Sequence, residues 1–243
     1  KDIDKAREIQ QSILPEPYLK FHHYELYGMS VPDRIVGGDF FDYLFADEEK
    51  DRLVVVLGDA ASKGLKAAAQ AMYLAGGIRT GISFHTKISS LMGRMNTLLH
   101  RTFSEDQFVS MFYAEFSMDK RGLVLYSNAG HNSPILCRAE DGSVDLLEPT
   151  GQILGPFPDE KYRVENTVMQ TGDVLVMYSD GISEARDTGE GQYGEKRLTE
   201  KILESRHLKA EQICRSILDD VHRFSRGSDE GDDRTIVVVK REH

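Results

Sequence analysis

The chain contains no tryptophan, only two cysteines in 243 residues, and no excess of basic residues. Cys137 and Cys214 lie far apart, without a CxxC pair or a histidine-rich tract, so neither a disulfide framework nor a zinc site is indicated and a reducing cytosol is implied. Thirty Lys and Arg against 40 Asp and Glu give a formal net charge of −10, with no basic stripe to displace counterions from phosphates. A nucleic-acid partner is therefore not expected. No apolar run approaches the roughly 20 residues that span a bilayer, and the first residues are charged rather than leader-like. The expectation is a soluble, cytoplasmic domain. Because the chain opens at Lys1 within an apparent helix, an upstream sensor or membrane anchor is expected in the intact protein.

What is present suffices for a core: 40% of the residues are hydrophobic, and the length suits one large domain. The stretch Leu53 to Gly64, LVVVLGDAASKG, organises it. Five consecutive apolar residues suit a strand buried on both faces, running into Gly58-Asp59 and then a small-residue segment that starts a helix. Asp59 alone reads as a helix cap. Its setting at the end of a rigid strand also suits a ligand for a hard divalent cation.

Residues Asp2 to Leu14 have helical apolar spacing and end at Pro15 and Pro17. This segment either packs on the domain or ends an incoming coiled coil, and residues 1–17 are taken as a linker helix before a domain at 18–243. Tyr24 to Val31 reads as a strand. In the following RIVGGDFFDY, the paired glycines suggest a bulge or a close backbone approach, and Asp39 and Asp42 point to opposite faces. Asp39 is the one expected at the site, with a turn at Asp47 to Asp51 bringing it onto a strand beside Asp59. Two helices follow, an alanine-rich one from Leu65 to about Arg79 and one whose stripe Ile88, Leu91, Met92, Met95, Leu98, Leu99 is core.

Six strands then succeed one another from Phe108 to Tyr178 with turn signals and no helices between them, so the sheet is mainly antiparallel and a dinucleotide-binding domain is excluded. The strand Val174 to Tyr178 repeats the earlier design and delivers Ser179-Asp180-Gly181. Helices around Glu195 to Glu204 and Ala210 to Phe224 precede Asp232-Asp233-Arg234-Thr235 and a last strand, Ile236 to Val239. Helix pairs separated by antiparallel strands suit an α+β fold, a four-layer α-β-β-α sandwich with two central sheets.

Asp39, Asp59, Asp180 and Asp232 or Asp233 thus sit at the ends of separate buried strands. Carboxylates crowded at one sheet end repel unless cations neutralise them, and all-oxygen ligation favours Mg²⁺ or Mn²⁺ over zinc. Two such ions can share a bridging water, lower its pKa and direct it at phosphorus, which implies hydrolysis of a phosphoester.

The ordered motifs VGGDFFD, GDAASKG, SNAGHN, YSDGISE and DDRT resemble those of the PPM family of metal-dependent protein phosphatases, in its bacterial SpoIIE/RsbU-like subgroup. AREIQQSILPEP resembles that subgroup's linker, which joins a sensor to the phosphatase. The resemblance implies a binuclear Mn²⁺/Mg²⁺ site that dephosphorylates phosphoserine or phosphothreonine by direct water attack. It assigns Asp59 as the bridging ligand, the Ala60 carbonyl to one metal's shell, and Asp39, Asp180 and Asp232 as further metal ligands, with Asp59 and Asp180 the catalytic pair. Arg34 falls where an arginine holds substrate phosphate or stands as a solvated turn residue. His131 is either a general acid or a loop-fixing hydrogen-bonder.

Ser62 departs from the family's glycine and would strain a loop that needs positive φ. The implied substrate is a small phosphoprotein of the anti-sigma-factor-antagonist type, and a homodimer through the N-terminal helix is expected. A phosphatase-fold module that only binds its partner, or an enzyme for a small phosphorylated metabolite, are the alternatives.

Overall fold

From Leu53 to Leu57 successive side chains point to opposite faces, and each face meets its own apolar cluster: Leu53, Val55 and Leu57 on one side, Val54 and Val56 on the other. That double burial makes this strand the interior of a layered structure. The computed structural model describes residues 2–33, 35–84, 86–104, 106–119, 121–189, 191–228 and 231–242.

In chain order the elements are α1 (Asp2–Ile13), β1 (Tyr18–Phe21), β2 (Tyr24–Val31), β3 (Phe40–Phe45), β4 (Arg52–Ala60), α2 (Leu65–Ile82), α3 (Ile88–Thr102), β5 (Val109–Ser117), β6 (Leu123–Ala129), β7 (Ile135–Cys137), β8 (Val144–Leu146), β9 (Glu165–Val168), β10 (Val174–Tyr178), α4 (Asp180–Ser183), α5 (Gly194–Ser205), α6 (Ala210–Phe224) and β11 (Arg234–Arg241). They form a six-stranded sheet, β1-β2-β11-β10-β7-β8, and a five-stranded sheet, β3-β4-β5-β6-β9. Every strand ladder among the described residues is antiparallel.

Three apolar layers hold the sheets and helices together. Leu57, Phe112, Met177 and Val237 lie in the layer between the two sheets. Leu74, Ile78, Leu91 and Met92 of α2 and α3 pack on the outer face of the five-stranded sheet. Leu198, Ile213 and Ile217 of α5 and α6 pack on Val176 and Val238 of the six-stranded one. The architecture is the four-layer sandwich that the sequence implies. None of the described helices is long and apolar enough to cross a membrane.

Two local features differ from expectation. α2 runs through Gly76-Gly77 to Ile82 instead of ending near Arg79. The glycines carry a helix-propensity cost of about 1 kcal/mol each, but Gly77 lies against Met95 and Leu98, and Gly81 against Leu91, so their small size lets α3 approach. β1 and α4 are additional short elements. α1 packs on the domain: the Gln10 side chain both donates to the Gly37 carbonyl (2.6 Å) and accepts from its N–H (3.1 Å), while Arg79 Nη2 donates to the Ile13 carbonyl (2.6 Å).

Candidate metal centre

The hairpin of β3 and β4 places Phe40 opposite Gly58, so Asp39, immediately before β3, comes beside Asp59 near the end of β4. In the other sheet Tyr178 pairs with Ile236, which sets Asp180 just beyond β10 near Asp232, just before β11. The two pairs meet across the sandwich. Burial first, and then the negative charges of Asp180 and Asp232, raise the Asp59 carboxyl to about 7; a hydrogen bond from Asp39 partly offsets them. Asp39 is pushed well above the carboxylate range by burial and then by Asp59, with the Ser179 and Thr235 hydroxyls pulling the other way. Asp180 is raised by burial and by Asp232. Among the described residues neither Asp59 nor Asp180 is held in an ion pair with Lys or Arg.

Asp42 goes elsewhere, as the alternation of a strand requires. It accepts a hydrogen bond from Arg79 Nε at 2.6 Å, away from the cluster. Asp233, which the sequence left interchangeable with Asp232, has a separate task. Its Oδ1 accepts from the Asp33 N–H (2.9 Å) and its Oδ2 from the Gly38 N–H (2.6 Å), binding the loop that leads into Asp39 to the start of β11. Ser179 adds a second tie: its hydroxyl donates to the Asp233 carbonyl (3.1 Å) and accepts from the Thr235 N–H (3.0 Å). No sequence pattern identifies these roles, because the partners are local backbone groups of distant segments.

The glycines are close-approach positions. A Cβ on Gly181 would collide with the Asp233 carbonyl, and one on Gly38 would sit 2.8 Å from the Ala60 carbonyl oxygen. Ser62 carries no positive φ, since among the described residues only His22 and Lys50 do so without being glycine; the left-handed position of this loop is Gly64, at φ 69°. The departure from the family's glycine therefore introduces no backbone strain.

His131 is buried, with Nδ1 2.7 Å from the Ser110 hydroxyl and its backbone N–H donating to Asn128 Oδ1 at 2.8 Å. Burial pushes its imidazole down to about 4, so the ring is neutral and stitches β5 to the loop after β6. Arg34 lies outside the described residues.

A cavity of about 410 Å³ opens over Asp180 and Asp232, lined also by Asp33, Lys63, Glu184, Arg186 and Arg234. The donor chemistry of the acidic groups fits hard divalent cations: the converging aspartates offer only oxygens, and Asp39 Oδ2 is buried with no hydrogen-bond partner. The arrangement is open rather than closed. Among the described residues no three His, Cys, Asp or Glu side chains form a ready-made ligand group. Some of the carboxylates are engaged elsewhere, Asp232 with Lys63 and Asp233 with backbone.

Comparison with known proteins identifies the fold and the family. The chain is 26% identical over 246 residues to the phosphoserine phosphatase RsbU of Bacillus subtilis, covering 99% of this chain and 70% of RsbU. Among solved structures, the PP2C domain of SiaA from Pseudomonas aeruginosa superposes with a TM-score of 0.83 at 18% identity, covering 99% of this chain and 96% of that one. RsbX, solved in complex with magnesium, superposes with a TM-score of 0.69 at 13% identity over 93% of this chain and 98% of its own. The sequence model of stage II sporulation protein E matches residues 49–242. The chain belongs to the stage II sporulation protein E (SpoIIE) family and is a PPM-type protein phosphatase of the RsbU-like subgroup.

Proposed function

We propose that this protein serine/threonine phosphatase hydrolyses phosphoserine or phosphothreonine on a small regulatory phosphoprotein of the anti-sigma-factor-antagonist type, using two Mn²⁺ or Mg²⁺ ions. The observation that carries the reading is Asp59: a half-buried carboxylate, raised to about 7 by desolvation and by acids from the opposite sheet, with no basic side chain paired to it among the described residues. A fold that keeps such a group is arranged for a cation. Asp39, Asp59, Asp180, Asp232 and the Ala60 carbonyl are the proposed ligands, Asp59 and Asp180 the catalytic pair, and Arg34 a proposed phosphate contact.

When bound, the ions supply Lewis acidity and an acidified water for in-line attack on phosphorus. The chain's own residues fix the geometry. Asp233 locks the loop before Asp39 to the strand end that carries Asp232, Ser179 ties that strand end to the end of β10, and Gly38 and Gly181 let these backbones come close. RsbU's name as a phosphoserine phosphatase supports the substrate class. The remaining parts of the reading are a linker helix at 1–17 before a domain at 18–243, an upstream sensor, a dimer through the N-terminal helix and a cytoplasmic location.

Phosphate release from a phosphoserine-bearing antagonist-type protein by the purified chain is expected with Mn²⁺ or Mg²⁺ and none in EDTA. Turnover confined to small phosphorylated metabolites would reject the protein substrate. The alternative, a phosphatase-fold module that only binds its partner, would show as partner binding without turnover under any metal.

Gly38→Ala tests the supporting geometry. A methyl group 2.8 Å from the Ala60 oxygen and 3.1 Å from Ala67 Cβ displaces a proposed ligand. Turnover is expected to fall about 10²-fold, since misplacement by an ångström costs that much. Unchanged kinetics at saturating Mn²⁺ would remove the Ala60 carbonyl from the site.

A further inference from the structure

Lys63 occupies a position that the site's proposed chemistry does not use. It follows Ser62 in the loop between β4 and α2, and its Nζ lies 3.4 Å from Asp232 Oδ2. Its charge also lowers the Asp180 carboxyl, against the larger effects of burial and of Asp232. Lys63 lines the cavity above Asp180 and Asp232 and also the narrow cleft bounded by Asp33, Asp232 and Asp233. It is thus a cation at the open mouth of an acidic cluster. Its side chain is 61% exposed and that of Asp232 52%, so water screens the pair and it can part at low cost.

We propose that Lys63 is the site's internal counter-cation, exchanging Asp232 for the substrate's phosphate when metal binds. The inference rests on the metal-centre reading above. Without metal, the ammonium neutralises Asp232 and so competes with any cation for that carboxylate. Once Asp232 is engaged by a metal ion, Lys63 is left without its partner on the rim of the same cavity. An ammonium on a flexible stem suits a phosphate dianion there, as a point charge that needs no bidentate geometry.

Removing the charge should therefore act in opposite directions on two ligands. Calorimetric titration of the metal-free chain with Mn²⁺ is expected to show Lys63→Met binding about two- to fivefold tighter than wild type, the range set by an exposed ion pair. Titration of the Mn²⁺-loaded chain with inorganic phosphate is expected to show binding about tenfold weaker in Lys63→Met, with Lys63→Arg close to wild type. Thermal melting checks that each variant is folded, as expected for an exposed loop residue.

Equal or weaker Mn²⁺ binding by Lys63→Met, or unchanged phosphate binding, overturns the proposal while leaving the metal centre in place. A wild-type chain that takes up no Mn²⁺ overturns both. Asp59→Asn, which should lose Mn²⁺ binding whatever Lys63 does, tells these two failures apart.

Discussion

Asp59→Asn and Asp180→Asn are each expected to lower metal-dependent turnover about 10³-fold or more. Asp59 lies near the end of the buried strand β4 and Asp180 opens α4 just beyond the buried strand β10, so an amide would occupy nearly the same space with little rearrangement of backbone. What changes is charge. Asp59 carries the field of Asp180 and Asp232 on one half-buried carboxylate, and this concentration of negative potential attracts hard cations.

An amide offers one neutral oxygen and, on its other side, two N–H donors that repel a cation. Asp42→Asn is the matched control, because that carboxylate bonds Arg79 and turns away from the cluster. It is expected to keep turnover within a few-fold of wild type and to lose about 1–3 kcal/mol of stability, the cost of breaking a charged hydrogen bond at a buried acceptor. Steady-state phosphate release and urea unfolding on the three variants decide the matter. Comparable turnover in Asp59→Asn and Asp42→Asn would remove the catalytic reading and leave the architecture.

The strands that carry the site were legible because double burial leaves a compositional trace. In runs such as Leu53 to Leu57 and Val174 to Tyr178, every residue is apolar or aromatic because each face packs on its own layer. β2 and α6 coincide with the expected Tyr24–Val31 and Ala210–Phe224 for a related reason, since clear periodicity and sharp turn or cap signals bound them. β1 was not legible. Its four residues follow two prolines, and its pairing with β2, Tyr18 to Tyr27 through Phe21 to Tyr24, depends on register that a short segment does not encode.

At the site, the acidic residues could be read from their positions at strand ends, but the division of labour between neighbours could not. Asp232 and Asp233 are chemically identical. Only the backbone N–H groups of Asp33 and Gly38 distinguish the clamp from the proposed ligand. Asp42 differed from Asp39 by strand parity, which the sequence does show, whereas its partner Arg79, already inside the expected helix, became visible only through the packing of α2 against β3.

The same carboxylate that serves a cation should burden the protein without one, so in EDTA at pH 8 Asp59→Asn is expected to be more stable than wild type by about 2–4 kcal/mol. The Asp59 carboxyl is raised from 3.8 to about 7 in the folded chain. The folded state therefore binds its proton more tightly than the unfolded state. The penalty is complete above about pH 7, and stability is regained as pH falls toward 3.8.

His131 runs the other way over much of the same interval. Its imidazole is pushed from 6.5 down to about 4 by burial, so acid protonates the unfolded state first and stability is lost as pH falls from 6.5 to about 4, by up to about 3 kcal/mol. In the metal-free wild type these two slopes oppose each other, and Asp59→Asn removes its own contribution, leaving the histidine's slope set against those of Asp39 and Asp180. Urea unfolding from pH 8 to pH 4 should show the advantage of Asp59→Asn shrinking toward zero at the acid end. Added Mn²⁺ should reverse the order at pH 8, because a cation that binds only the folded wild type raises its stability by mass action. An Asp59→Asn variant less stable than wild type in EDTA at pH 8 would mean that the carboxylate already has a compensating partner, and that the cluster was never arranged for a cation.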